Sequence, residues 1–217
     1  GSYDVSANGS TDIFVSKFNA SGTTLLYSTY IGGSNNDQSN DIAVDGSGNV
    51  YIAGFTKSTN FPVTSGVFQN SYGGGSDDVF VAKLNSTGTS LVYSTFIGGS
   101  DQDIARGLSL DASGNVFITG TTKSTNYDVT SGVFQNTIAG DGDVFVTKVN
   151  STGAALLYST YIGGTALDDA NDIVIDGSGN AYITGYAIST NYDITAGVYQ
   201  TTFGGAFFFG DAFVTKV

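Results

Sequence analysis

The chain has no cysteine, histidine, methionine, tryptophan or glutamate, and one proline among 217 residues. Without cysteine there are no disulfides and no thiolate metal sites, and redox chemistry gives no clue to the compartment. The absence of both histidine and cysteine excludes His-based triads and thiol nucleophiles. Paired aspartates remain a route to glycoside hydrolysis, but no pair stands out from the turn aspartates, so a non-enzyme without a resident cofactor is the expected reading. Basic residues are also scarce. Seven Lys plus Arg against nineteen acidic residues give a formal charge of −12. Such a surface is repelled by nucleic acid and by acidic membranes, so neither is an expected partner. The opening GSYDVS has no initiating Met, no basic stretch and no apolar run, so no signal peptide and no membrane-inserting span is expected, and the chain reads as a mature product or an excised piece.

What is present favours strands and turns. Every acidic residue is Asp, glycine occurs 31 times, and 40% hydrophobic with 13% aromatic content is enough for a sizeable core. Small polar residues and few lysines hint at a secreted or cell-surface protein. The sequence also repeats itself. Asp12-Ile-Phe-Val returns at Asp78, Asp143 and Asp211 with small changes, a period of about 66 residues. YSTYIGG at 27–33 returns at 93–99 and 158–164, and STN follows at 58, 124 and 189.

Each period reads as four strands bounded by Gly, Asn, Ser or Asp, for example DIAVD, NVYIAGFT, DVFVAKL and SLVYSTFI. Inner strands are expected near 42–45, 108–111 and 173–176, with at most a helical turn or two around 64–69, 130–135 and 195–200. In DVFVAKL, Val79 and Val81 point to one face while Phe80, Ala82 and Leu84 point to the other, so both faces of the sheet need cover. Radially packed blades supply it, which selects a propeller over an up-and-down barrel. Ile42, Val44, Ile52, Phe80, Val81, Leu91 and Tyr93 are expected in the core, with Ile118, Phe145, Val146, Ile183 and Phe213 as their equivalents.

The words DVFVTKVNSTGAALLYSTYIGG, NDIVIDGSGNAYITGY and STNFPVTSGVFQNSYGGGSDD resemble the SBBP β-propeller repeats of bacterial and archaeal proteins, over almost the whole chain. The resemblance implies an all-β propeller array of four-stranded antiparallel blades in a secreted or surface setting, and no particular activity. Residues 1–217 form one such array, with repeats at 12–77, 78–142 and 143–210 and a partial repeat at 211–217. That is about three and a quarter blades, fewer than the roughly 4 to 8 of closed propellers.

Four groups of residues are candidate sites. DGSGN at 45–49 alternates oxygen ligands like a cation loop, but Val50 stands where such a loop needs glycine and no Glu closes it; a tight turn is the preferred reading. The segments 32–41, 98–107 and 163–172 read as connections on one face near the central channel, where Asp37, Asp103 and Asp168 would form an arc able to bind Ca²⁺ or hydrated polyols. Aspartates that cap turns on a solvated face are the preferred reading there. Asn8, Asn19, Asn85 and Asn150 open N-glycosylation-type sequons, for which turn chemistry is again the rival reading. Phe207, Phe208 and Phe209 form an apolar insertion suited to a partner interface. The repeated Lys17, Lys83, Lys148 and Lys216 read as blade-edge residues that snorkel.

The function most consistent with these features is an extracellular structural protein, self-associating into a layer, matrix or filament by pairing strands or edges between chains. An adhesin or lectin-like propeller that binds Ca²⁺ or surface glycans through acidic loops is the alternative, and a polysaccharide-processing enzyme is a third.

Overall fold

The computed structural model describes residues 1–205 and 210–217, which form thirteen strands and no helix. The short β1 (Ile13–Phe18) and β2 (Leu25–Ile31) pair as an antiparallel hairpin. Two complete antiparallel sheets follow: β3 (Asp37–Val44), β4 (Val50–Thr56), β5 (Asp78–Leu84) and β6 (Leu91–Ile97), then β7 (Asp103–Leu110), β8 (Val116–Thr122), β9 (Asp143–Val149) and β10 (Leu156–Ile162). The last sheet has three strands, β11 (Asp168–Ile175), β12 (Ala181–Ala187) and β13 (Asp211–Lys216). Each sheet is a meander in chain order, and the chain is a β-propeller repeat array.

Burial on both faces explains the radial arrangement. Val79 and Val81 of β5 join a core with Ala105, Leu108 and Val116 of the next blade, whereas Phe80, Ala82 and Leu84 join one with Ile13, Val15 and Ile31 of the hairpin before it. A third core repeats the pattern around Phe117, Val144 and Ile173. The strands β3, β7 and β11 pack against one another from blade to blade and are the inner strands.

These inner strands begin earlier than the sequence suggests. A bulge between Ser39 and Asp41, repeated at Ala105/Gly107 and Ala170/Asp172, shifts the register, so pairing continues back to Asp37, Asp103 and Asp168. Much of each expected acidic connection is therefore strand. The segments near 64–69, 130–135 and 195–200 hold plain turns at Gly66, Gly132 and Gly197.

Most expected core residues are buried, with four departures. Ile42 is 56% and Val44 60% exposed, although the equivalents of Ile42, Leu108 and Ile173, are buried and those of Val44, Leu110 and Ile175, are half-buried. Ile42 and Val44 face the two-stranded hairpin, which has no inner strand to set against them. Leu91 and Phe213 are half-buried, since each lies on a sheet margin.

The long connection after β4 runs back along the outer edge of β6. There the Thr64 amide donates to Ser94 O (3.1 Å) and the Phe96 amide to Gln69 O (3.1 Å). Thr130 and Gln135 cover β10 in the same way, and Asp4 covers β2 by accepting the Tyr30 amide at 3.2 Å. Otherwise open edges are thereby satisfied.

Candidate functional site

The three candidate metal aspartates do not line a solvated arc. Asp37, Asp103 and Asp168 are buried at the start of the inner strands, and each spends its oxygens on its own blade and on the GG turn that leads into it. Asp37 accepts the Thr56 hydroxyl, the Ser58 hydroxyl at 3.0 Å and the Gly33 amide at 2.6 Å. Asp103 repeats this with Thr122, Ser124 and Gly99. Asp168, where Ala187 replaces the threonine, takes the amides of Gly164, Ile188 and Ser189. A cation would have to displace these donors. Among the described residues no three metal-ligating side chains converge.

This network gives STN its role. The serine holds the inner-strand aspartate, and the asparagine holds the turn after the outer strand: Asn60 Oδ1 accepts Ser34 N at 2.9 Å, Asn126 does so for Ser100, and Asn191 for Thr165. The adjoining GG pair is equally constrained, since a Cβ on Gly33 would lie 2.5 Å from that of Ser58.

A second carboxylate flanks each GG. A Cβ on Gly98 would touch both Asp78 Cγ and Asp103 Oδ2 at 3.0 Å, so two buried acids approach one glycine. Asp78 Oδ1 and the equivalent Asp143 Oδ1 have no hydrogen-bond partner. Burial, and then the charge of Asp103, pushes the Asp78 carboxyl up to about 7, while burial lifts Asp103 to about 6.

DGSGN is a turn. The Asp45 carboxylate accepts the amides of Ser47 and Asn49 at 2.9 Å, and Gly48 supplies the positive φ of 80°. Asp111 and Asp176 repeat it. The repeated lysines complete the turn, because Lys83 reaches Asp45 at 3.5 Å and lies over the Tyr51 ring at 4.6 Å. Lys148 and Lys216 match it over Phe117 and Tyr182, and Lys17 donates to Ser86 O at 3.5 Å. An open cleft of about 550 Å³ separates the turns of the two complete blades, lined by Asp45, Tyr51, Lys83 and Asp111.

The sequon asparagines 19, 85 and 150 are half-buried turn caps whose Oδ1 atoms accept amides four residues on, at 2.9, 2.8 and 2.9 Å. Asn8 is exposed and donates to Asp4 at 2.7 Å. Phe207, Phe208 and Phe209 lie outside the described residues.

Two features escape sequence reasoning. One is the inter-blade pair of Arg106 and the buried Asp169, with Nε and Nη2 each 2.9 Å from a carboxylate oxygen. The other is a pair of open sheet faces. Phe14 is 69% exposed although Phe80 and Phe145, its repeat equivalents, are buried, and Val214 is 78% exposed although Val81 and Val146 are buried. Comparing equivalent positions across repeats was the available signal, but exposure depends on which neighbour is present.

A family model described as SBBP, β-propeller repeat, matches residues 26–62, 92–128 and 157–193. No curated protein matches the chain.

Proposed function

Since the chain belongs to the SBBP β-propeller repeat family, we propose that it is a non-enzymatic, extracellular or cell-surface structural protein whose copies assemble by sharing strands. The observation that carries this reading is the complementarity of its two incomplete sheets. The hairpin β1–β2 holds a third and a fourth strand, and β11–β12 holds a first and a second. Joining the hairpin of one copy to β11–β12 of another makes a whole blade. To do so, β1 takes the place of β13, whose sequence DAFVTK is close to DIFVSK at 12–17.

The exchange costs little and gains a good deal. The six residue pairs between β12 and β13 are replaced by equivalent pairs to β1. Phe14 takes over the stacking of Phe213 on Tyr192, whose ring centroids lie 4.8 Å apart. The fourth strand then runs past Ile194, Val198 and Tyr199, all exposed in the isolated chain. The next blade of the second copy covers the apolar groove lined by Ile173, Val174, Tyr182 and Val214. Two copies carry about six blades, within the range of closed propellers, and further copies would extend the array.

Sedimentation at rising concentration tests the reading. Wild type is expected to associate and Phe14→Asp to stay monomeric while unfolding normally, because Phe14 is exposed in the single chain. Equal association of the two would refute hairpin exchange.

A second reading, a carbohydrate-binding propeller, is favoured by the open cleft between the turns. Glycan-array binding lost in Lys83→Ala would support it.

A further inference from the structure

Neighbouring inner strands meet in two different ways, and one dipeptide makes the difference. Between β3 and β7, Asn40 Nδ2 donates to Ala105 O at 2.7 Å and the Asp41 carboxylate accepts the Leu108 amide at 2.7 Å. Asp41 also caps its own neighbour, the Ile42 amide, at 2.7 Å. Between β7 and β11 the same positions hold Arg106 and Gly107. Arg106 pairs with Asp169 at 2.9 Å, and no side chain fits at 107, where a Cβ would lie 2.8 Å from Asp172 Cα and 2.9 Å from Ile173 N. The Ile173 amide is capped by its own Asp172 at 2.8 Å. Leu108 thus takes its carboxylate from the preceding blade, which its own Gly107 cannot supply, and Ile173 takes one from within its strand. Neither junction brings two carboxylates to one amide.

The inner strand β11 carries Asn171-Asp172, the same dipeptide as Asn40-Asp41, with both side chains exposed. We propose that residues 40–41, 106–107 and 171–172 form a junction code: an Asn-Asp inner strand selects a successor with glycine at the position of Gly107, and an Arg-Gly inner strand selects an Asn-Asp successor. The partner that best fits the open face of β11 is therefore a blade of this repeat with glycine at that position. This inference rests on the assembly proposed above. When a second copy supplies the successor, Asp172 approaches an Ile42 amide that Asp41 already caps. Two carboxylates then compete for one N–H in a surface losing its water, where like charges repel most strongly. The junction between identical copies is consequently weak, and a glycine-type blade is preferred.

The triple variant Gln38→Asp, Asn171→Arg, Asp172→Gly rebuilds the β7–β11 junction between copies. All three side chains are exposed, and their hydrogen bonds stay within their own strands. Asp141→Asn changes the net charge by the same amount at an exposed site away from the inner strands and serves as the control. By sedimentation equilibrium the triple variant is expected to self-associate about tenfold or more tightly than wild type, the factor that one charge-assisted hydrogen bond supplies, while loss of the Asp172 cap on the Ile173 amide lowers the thermal midpoint of the single chain. Asp172→Gly alone should tighten association in the same direction and decides the matter if the triple variant unfolds. An affinity no higher than that of wild type, or an equal gain in Asp141→Asn, overturns the code while leaving hairpin exchange standing. Monomers throughout, in wild type and variants alike, overturn hairpin exchange and the code with it.

Discussion

Phe14 and Phe80 occupy the same position of the repeat and should respond to truncation very differently. Phe80 is sealed between two blades, so Phe80→Ala is expected to cost about 3 to 5 kcal/mol in urea denaturation. Phe14→Ala should stay within about 0.5 kcal/mol in the isolated chain. Equal losses would place both rings in the core. The buried acids make a second prediction at this scale. Asp78 and Asp103 titrate near 7 and 6 in the fold, against an ordinary value of 3.8. Between those limits the folded chain holds more protons than the unfolded one, so this contribution to stability is present at about pH 4 and is lost as the pH rises through about 7. Asp78→Asn removes the charge that burial opposes. It should therefore raise the thermal midpoint at pH 8 and change it little at pH 4; the same shift at both would mean that Asp78 stays ionised throughout.

At the scale of the strand, edges distinguish the blades. The outer strands β6 and β10 are bonded on one side to their sheet and on the other to the connection bearing Thr64 and Gln69 or Thr130 and Gln135. Among the described residues the strand β13 pairs with β12 alone, and no connection runs along its other edge. Amide exchange in β13 is expected to be faster than in the third strands β5 and β9, and to quicken further on assembly as β1 of a second copy displaces it. Slowing on assembly would point instead to a strand added at its free edge. How much of this was legible in the sequence follows from what each signal measures. Alternation in DVFVAKL marks β5 and its two buried faces, because side-chain period is local. The start of the inner strands was hidden, because a bulge at Ser39/Asp41 breaks that period and polar residues such as Gln38 and Asn40 read as loop. The aspartates 37, 103 and 168 were located but given the wrong surroundings, since the hydroxyls of Ser58 and Ser124 that bind two of them come from about twenty residues away. The exposure of Ile42 was beyond reach, because it depends on the neighbouring blade rather than on the residue.

For the whole molecule, the account comes down to whether β1 of one copy takes the place of β13 in another. Tyr182 lies opposite Lys216 in the β12–β13 pair, and Lys17 is the equivalent of Lys216 in β1. The natural absence of cysteine leaves no competing thiol. Mild oxidation of the double variant Lys17→Cys, Tyr182→Cys should therefore link chains into covalent oligomers, since cross-strand partners come within disulfide range. The companion Tyr182→Cys, Lys216→Cys shows that the site can be bridged by closing within one chain. If the Lys17 variant stays an unlinked monomer where its companion closes, or links only within its own chain, copies of this protein do not share blades.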